Sequence, residues 1–443
     1  MPSPRSSFAA LLDKEWRELV SSRAWWTMLL LTGPLVGVCF IRAVETYAEL
    51  SGLGGSAAGV GEAFSPLVGI WAPTFSAYEL VAAFLLPFVV IRVVGGDRQS
   101  GALKLEQQQG ALSPWARITA KTAVLVAGWL IASLPAAAAM ALWLSYGGHV
   151  HGPEIAAVAL GHVLNAGLTI ALAAAMASVA EHPATAAILT LAFTVGTWVL
   201  SFAAAVHGGL WERLAGYTPP VMVATFQHGL VRGDIVLAAA TLTAAGLAAA
   251  AVWMRTGVAV RQRALESLAV VGAASVVLFA SSLVRTSWDL SRSRYNSFTR
   301  ADEDALRGIR SPLRLEVHLA PQDPRRYDLE RHALSKLRRT LPRLRIEYVS
   351  ATQVGLFEQT SRDYGEIFYD LGGRRAASRA TSAEGVLETI YELAGVTPPA
   401  ASDEDVYRGE PLASPPNGAA LVFYAAWPAL ASGAAYLSLR RQT

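Results

Sequence analysis

Few side chains in this sequence could do chemistry, and most of them stand alone. His149, His151 and Glu154 sit close together. A zinc site wants four ligands, and these three in a polar loop fall short, so a solvated loop is the plainer reading. His162 and Asn165 lie three residues apart inside a long apolar run. Polar groups at membrane depth mark transport paths or hydrogen-bond between helices, and the second role is the commoner one for this pair of residue types. A haem would need axial ligands paired at one depth, and the other histidines fall near loops or outside the apolar runs. There is no Gly-x-x-x-x-Gly-Lys-Ser/Thr loop, no Gly-x-Ser-x-Gly elbow and no His-Glu-x-x-His pair. The sequence therefore offers no nucleotide site of its own and no hydrolytic centre. The one cysteine, Cys39, excludes an internal disulfide.

The remaining polar concentration is a run between two apolar segments, residues 97–121. It holds Asp97, Arg98, Ser100, Gly101, Leu103, Lys104 and Glu106, then Pro114, Trp115 and Lys121. Lys104 and Glu106 offer charges to a partner, and Leu103 offers an apolar anchor. Pro114 ends the element, and Trp115 suits an interface. A short, stiff segment pinned between two spanning helices is where a soluble partner can grip a membrane protein. The plainer alternative is a loop whose charges only set topology.

The elements that must carry this run follow from composition. Of 443 residues, 53% are hydrophobic and 16% charged, too apolar for a soluble protein of this length. Apolar stretches long enough to cross a bilayer occur at residues 24–42, 75–94, 118–146, 155–180, 184–206, 234–254, 268–283 and 419–439. Before them, Phe8, Leu11, Leu12, Trp16 and Leu19 repeat at helical spacing, with Lys14, Glu15 and Arg17 between. This predicts an interfacial helix over residues 8–19. Basic residues crowd the N-terminus, the run 97–121, the segment after the sixth span and the tail Arg440-Arg441. The loops on the opposite side carry Glu45, Glu49, Glu62, Glu154 and Glu212. By the positive-inside rule both termini are cytoplasmic.

Residues 285–417 hold no spanning stretch and much of the charge, and they begin and end on the outer side. Strands are predicted at 313–319, 345–349 and 366–370, and helices at 329–341 and 383–393. That alternation predicts a small α/β domain with a mainly parallel sheet, joined to the membrane by a linker at 397–417. The basic run from Arg325 to Arg345 reads as a solvated helix face, with anionic lipid or an envelope polymer as the alternative partner. Nucleic acid is excluded on that side. Residues 207–233, with Trp211, Tyr217, Pro219, Pro220 and Phe226, predict short re-entrant or interfacial helices. The fold class is thus a mainly α membrane protein with eight transmembrane helices and one small extracytoplasmic α/β domain.

Two resemblances add to this reading. The run Asp97-Arg98-x-Ser100-Gly101-x-Leu103, then Pro114 and Lys121, resembles the loop of type-two ABC exporter permeases, which usually read Glu-Arg-x-Ser-Gly-Thr-Leu-Glu, then Pro, then Gly-Lys. Ala102, Lys104 and Ala120 depart from that pattern. The six-span count and the run Phe226-Gln227-His228-Gly229-Leu230 with Asp234-Ile235 are also similar to this family. The resemblance implies that residues 97–121 form a coupling helix docked on a separate cytoplasmic ABC ATPase, which would hold the ATP and magnesium. Trp16 and Arg17 of the interfacial helix would share that contact. It implies a homodimer, or a heterodimer with a sister permease, in the bacterial inner membrane. From residue 283 onward, Trp288 to Tyr295, Tyr364-Gly365-Glu366, Tyr407 to Leu412 and Trp427-Pro428 resemble the auxiliary subunit of gliding-motility-associated ABC transporters, which has a span, an outer domain and a span. The implied division is an interfacial helix (1–23), a six-span permease domain (24–264), a seventh span (265–284), the outer domain with its linker (285–417), and an eighth span with a short tail (418–443). The implied function is ATP-driven export of an unidentified substrate, with no enzymatic site in this chain. The alternative is a subunit that transmits ATPase strokes to an envelope or gliding machine and moves no solute.

Overall fold

The computed structural model describes residues 4–51, 65–99, 101, 113–207, 209–320, 323–349, 363–399 and 417–440. It is mainly helical. Among the described residues, eight helical segments are long and apolar enough to cross a membrane: Arg23–Glu49, Leu67–Asp97, Pro114–Ser145, Gly152–Val179, Pro183–Ala204, Gly233–Trp253, Val260–Ser281 and Ala419–Arg440. Each coincides with a stretch predicted from composition. The seventh starts eight residues ahead of the prediction and takes in Arg261, Arg263 and Glu266. A helix needs backbone hydrogen bonds and not apolar side chains, and an Arg255–Glu266 ion pair braces this polar end.

The chain separates into two compact units: Met1–Trp198 with Tyr217–Trp288 and Gly409–Thr443, and Val199–Gly216 with Asp289–Arg408. In the first, α1 (Pro4–Ser21) buries Leu11, Glu15 and Leu19, one turn apart, and exposes Asp13, Trp16 and Arg17. Next come α2 (Arg23–Ser51) and α3 (Ala72–Gln99), the latter entered through a wide turn at Leu67–Trp71. The third apolar segment is two helices, α4 (Pro114–Ala132) and α5 (Leu134–Ser145), jointed at Ser133. Pro135 lacks the N–H that would continue the ladder, so the joint falls there. Then follow α6 (Gly152–Val179), α7 (Pro183–His207), whose end from Val199 falls in the second unit together with α8 (Leu210–Ala215), and, back in the first, α9 (Pro219–Gln227), a short strand β1 (Leu230–Arg232), α10 (Gly233–Trp253) and α11 (Val260–Ser281). The segment 207–233 is thus two short helices and a strand. The closing segment runs through a wide turn at Val422–Ala426 into a final helix, Trp427–Arg440.

Aromatic side chains fill the core of this unit. Trp143 stacks edge-on against Tyr47 and Trp71, at 5.5 and 6.2 Å, and its indole N–H donates to the His149 carbonyl at 2.9 Å. The final helix is seated on α2 through Gly33 and Gly37, a Gly-x-x-x-Gly pair. A Cβ on Gly33 would fall 2.1 Å from the Trp427 ring, and one on Gly37 would fall 2.4 Å from Phe423 Cβ. Small residues at this spacing let two helices approach closely. The Trp427 indole then donates to the Leu29 carbonyl at 2.7 Å. Despite that seam, only 11% of the eighth apolar segment is buried within the chain, as are 6% of the seventh and 17% of the fifth.

After a short strand β2 (Ser287–Asp289), the second unit holds a four-stranded sheet in the order β4-β3-β5-β6, where β3 is Leu313–Val317, β4 Leu344–Tyr348, β5 Ile367–Leu371 and β6 Arg374–Ser378. The expectation of a mainly parallel sheet is corrected. Only β3 and β4 run parallel, while β3–β5 and β5–β6 are antiparallel. The cause is local. Gly372 and Gly373 both take positive φ, 59° and 93°, forming a tight hairpin between β5 and β6. Leu313, Leu315 and Val317 point into the core and Arg314 points out. The inward row packs against Leu329, Leu337, Val386 and Ile390. Those come from helices Pro324–Leu329, Ser335–Thr340 and Ala383–Ala394. The last is capped by Ser382 and stopped by Gly395 in the left-handed region. Most of the linker predicted at 397–417 lies outside the described residues.

Candidate functional site

The two ends of the run 97–121 meet. Asp97 sits in the last turns of α3 and Lys121 about two turns into α4, and Lys121 Nζ reaches Asp97 Oδ2 at 2.7 Å. Both side chains are buried. They close on α1. Lys121 Nζ also reaches Glu15 Oε2 at 2.7 Å and donates to the Val93 carbonyl at 2.8 Å. Lys14 Nζ reaches Asp97 Oδ1 at 2.7 Å and Glu15 Oε1 at 3.3 Å. Glu18 lies one helical turn beyond Lys14, over Gly96, where an added Cβ would stand 2.8 Å from Glu18 Oε1. Three elements are therefore tied by one buried knot of alternating charge.

Local sequence explains the convergence. Lys14, Glu15 and Glu18 occupy one face of α1 by their one- and four-residue spacing. Ser113 caps α4, its hydroxyl accepting from the Ala116 N–H at 3.2 Å, and Pro114 holds the first helical position. This fixes where α4 begins and so where Lys121 points. Gly96 leaves room for Glu18, and Lys121 keeps only 2% of its side chain in contact with solvent.

Glu15, Glu18 and Asp97 bring three carboxylate oxygens within 4.8 Å of one another, the one such group among the described residues that could share a metal ion. The lysines already supply the positive charge that an ion would bring. Two ammonium groups against three carboxyls leave one excess negative charge, 2 − 3 = −1, if all are ionised. Burial pushes the Glu18 carboxyl above its ordinary value, with Lys121 pulling the other way and Asp97 and Glu15 adding to the rise. The excess charge thus rests on the group best able to take a proton.

Trp16 and Arg17 lie on the opposite, exposed face. Arg17 pairs with Asp13 at 2.6 Å, and Trp16 meets Trp25 edge-on at 6.3 Å. Together with Trp26 and Leu437 they line a groove of about 1000 Å³ between α1, the start of α2 and the final helix. Arg98 lies in the last turn of α3. Gly101 adopts φ +75°, a conformation glycine accepts freely. Ser100, Leu103, Lys104 and Glu106 fall outside the described residues, as does the coupling helix expected around them.

Compared with known protein families, curated proteins and solved structures, the chain shows no match.

The two polar residues of the fourth apolar stretch part company. His162 packs between Phe75 and Tyr78, with ring centroids 5.3 and 5.5 Å away. Its Nε2 lies 3.3 Å from Gln227 Nε2. Ser76 donates to Gln227 Oε1 at 3.2 Å, so the Gln227 amide nitrogen is the donor and His162 Nε2 accepts. Asn165, less than one turn further on, faces a separate small cavity beside Glu79. His149 serves through its backbone, and His151 precedes the first turn of α6. Sequence reasoning missed Lys14, Glu15, Glu18 and Glu79 as site residues. For Glu15 the signal was present: it takes the middle place in the apolar row Leu11-x-x-x-Glu15-x-x-x-Leu19, where a charge needs a buried partner.

Proposed function

We propose that this chain is the membrane subunit of an ATP-driven ABC transport system, coupling a separate cytoplasmic ATPase to export across a bacterial inner membrane. The observation that carries the reading is the knot of Lys14, Glu15, Asp97 and Lys121. It joins both ends of the polar run to the amphipathic helix with charge-assisted bonds of 2.7 Å. A partner pressing on residues 98–120 would load α1, α3 and α4 together, because their junction is buried and ion-paired. The eight apolar helices, the loop pattern and the lack of a phosphate-cradling motif agree with that role. So does the small burial of the fifth and seventh helices within the chain, which leaves apolar surface for lipid or a second permease. Both termini would then be cytoplasmic, with residues 285–417 on the outer side.

Co-purification from native membranes tests this. The expected result is an ATPase subunit that accompanies the chain and is lost with Leu103→Glu plus Glu106→Lys. Undiminished ATPase capture by that double variant would reject the assignment. The separately compact second unit favours a second reading, in which strokes are passed to an envelope machine without solute movement. Reconstituted vesicles that hydrolyse ATP in response to this subunit, yet accumulate no solute, would select it.

A further inference from the structure

A small cavity lies among α3, α6, α7 and α9, and its polar wall is Glu79, Asn165, Thr169, Thr190, Thr194 and Thr197. Glu79, Asn165 and Thr194 share one depth. Asn165 is 13 residues from Gly152 and 14 from Val179; Thr194 is 11 from Pro183 and 10 from Ala204; Glu79 is 12 from Leu67 and 18 from Asp97. At about 1.5 Å per residue each stands about 15–20 Å from the nearer end of its helix. In a hydrocarbon layer about 30 Å thick, that is the midplane.

Two groups of the wall lack a partner in the protein. Among the described residues, neither the Glu79 carboxyl nor the Asn165 amide has a hydrogen-bonding or ion-pair partner in the protein, although Asn165 is 4% exposed. The hydroxyls of Thr190, Thr194 and Thr197 donate to the carbonyls of Ala186, Thr190 and Thr194, at 2.8, 3.0 and 2.7 Å. With the Thr190 and Thr194 protons engaged on backbone carbonyls, those hydroxyls can serve the space only as acceptors. Acceptors therefore outnumber donors: a carboxyl, an amide oxygen and two hydroxyl oxygens, against the Asn165 amide N–H groups and the Thr169 hydroxyl. A bare carboxylate in such a place is costly, so it is held with a counter-charge or a proton.

Size and charge narrow the occupant. The cavity measures about 30 Å³, room for one or two waters or one small ion, and too little for an organic amine or a peptide. A divalent ion gathers several carboxylates, and this wall has one. Glu79 is the sole ionisable group on it. α7 carries no Asp, Glu, Lys or Arg from Pro183 to Ala204, and α9 carries none. On α6 and α3 the groups that could respond nearby are His162 and Tyr78, which face each other.

We propose that Glu79, Asn165 and the threonines of α7 form an intramembrane site for a single exchangeable positive charge, carried by a proton or by a small alkali cation with one or two waters. The site stands whether or not an ATPase drives the protein.

Infrared difference spectroscopy on the full chain in lipid nanodiscs tests it, with Glu79→Gln as the subtraction. In the proton arm, moving from acidic to alkaline buffer in N-methylglucamine removes a protonated-carboxyl band seen in the wild type and absent from Glu79→Gln. In the alkali arm, adding sodium at constant pH removes the same band and raises the wild-type melting temperature, leaving Glu79→Gln unmoved. Asn165→Leu and Thr194→Val keep the carboxyl and shift the midpoint of whichever arm is active by at least about threefold, so the test survives if Glu79→Gln fails to fold. A Glu79 band invariant in both arms overturns the proposal, because the group would be a fixed structural carboxyl; so does a band that titrates at the ordinary glutamate value of about 4.3 and ignores sodium, Asn165→Leu and Thr194→Val, because the group would be open to bulk water.

Discussion

Replacing Lys121 by methionine keeps most of the side chain and deletes its charge. In the wild type Lys121 Nζ lies 2.7 Å from Glu15 Oε2, 2.7 Å from Asp97 Oδ2 and 2.8 Å from the Val93 carbonyl oxygen. At an effective dielectric of about 20, each charge pair at that distance attracts by about 6 kcal/mol before desolvation is subtracted. Burying the ions takes back most of it. The variant leaves Lys14 alone against Glu15, Asp97 and Glu18, and uncompensating a buried pair costs roughly 3–5 kcal/mol. For a unit of this size that is a fall in melting temperature on the order of 10 °C. The assay is thermal unfolding of the purified protein in detergent, run beside Glu15→Gln and the double variant. Glu15→Gln should restore part of the loss, with a coupling energy of about 0.5–3 kcal/mol. A fall of less than about 2 °C for Lys121→Met, or strictly additive single effects, would refute the claim that the knot binds α1 to the two loop ends.

Three further outcomes are expected. Glu18 has its carboxyl raised by burial. The folded state then holds that proton more tightly than the unfolded chain, and stability is lost as pH rises from about 4.5 through the raised value. Glu18→Gln should flatten that slope in melts taken across pH. In the second unit, Asp323 accepts from the Arg325 guanidinium at 2.7 Å and from the Tyr364 hydroxyl at 2.8 Å, which hold its carboxyl down to about 2. Its contribution is present above about 3.8 and lost as pH falls towards 2, so Asp323→Ala should cost about 1 kcal/mol at neutral pH and almost nothing at the acid end. Gly37→Val should force the final helix away from α2, at a cost of about 1–3 kcal/mol. Limited proteolysis would show it as faster release of a C-terminal fragment, and an unchanged cleavage rate would count against the seam.

The apolar helices were legible because twenty residues of one character leave few alternatives. The sheet was half legible. Leu313, Leu315 and Val317 alternate plainly, but β6 reads Arg-Arg-Ala-Ala-Ser, without the branched or aromatic residues that mark strands. Its place comes from the Gly372-Gly373 hairpin and from pairing with β5, which composition does not reveal. Asp97 and Lys121 drew notice as parts of a loop pattern. That they touch, and that Glu15 and Lys14 complete the contact, depends on three helices converging from 83 and 106 residues away. Glu79 went unnoticed for a similar reason. One acid in an apolar run looks like a solitary polar residue until Asn165 and the α7 threonines come to stand around the same space.

The glycine notch on α2 has a consequence for biosynthesis. Its two halves, Leu29 and Trp427, are 398 residues apart in the chain. On the membrane assignment proposed above, α2 waits in the bilayer with a vacant furrow along one flank while the polypeptide emerges, open to lipid tails or to any passing helix. Assembly of this seam is therefore a terminal event, completed only after the second unit has been synthesised. A ribosome that stopped before Phe423 would release a chain whose α2 furrow stays unfilled.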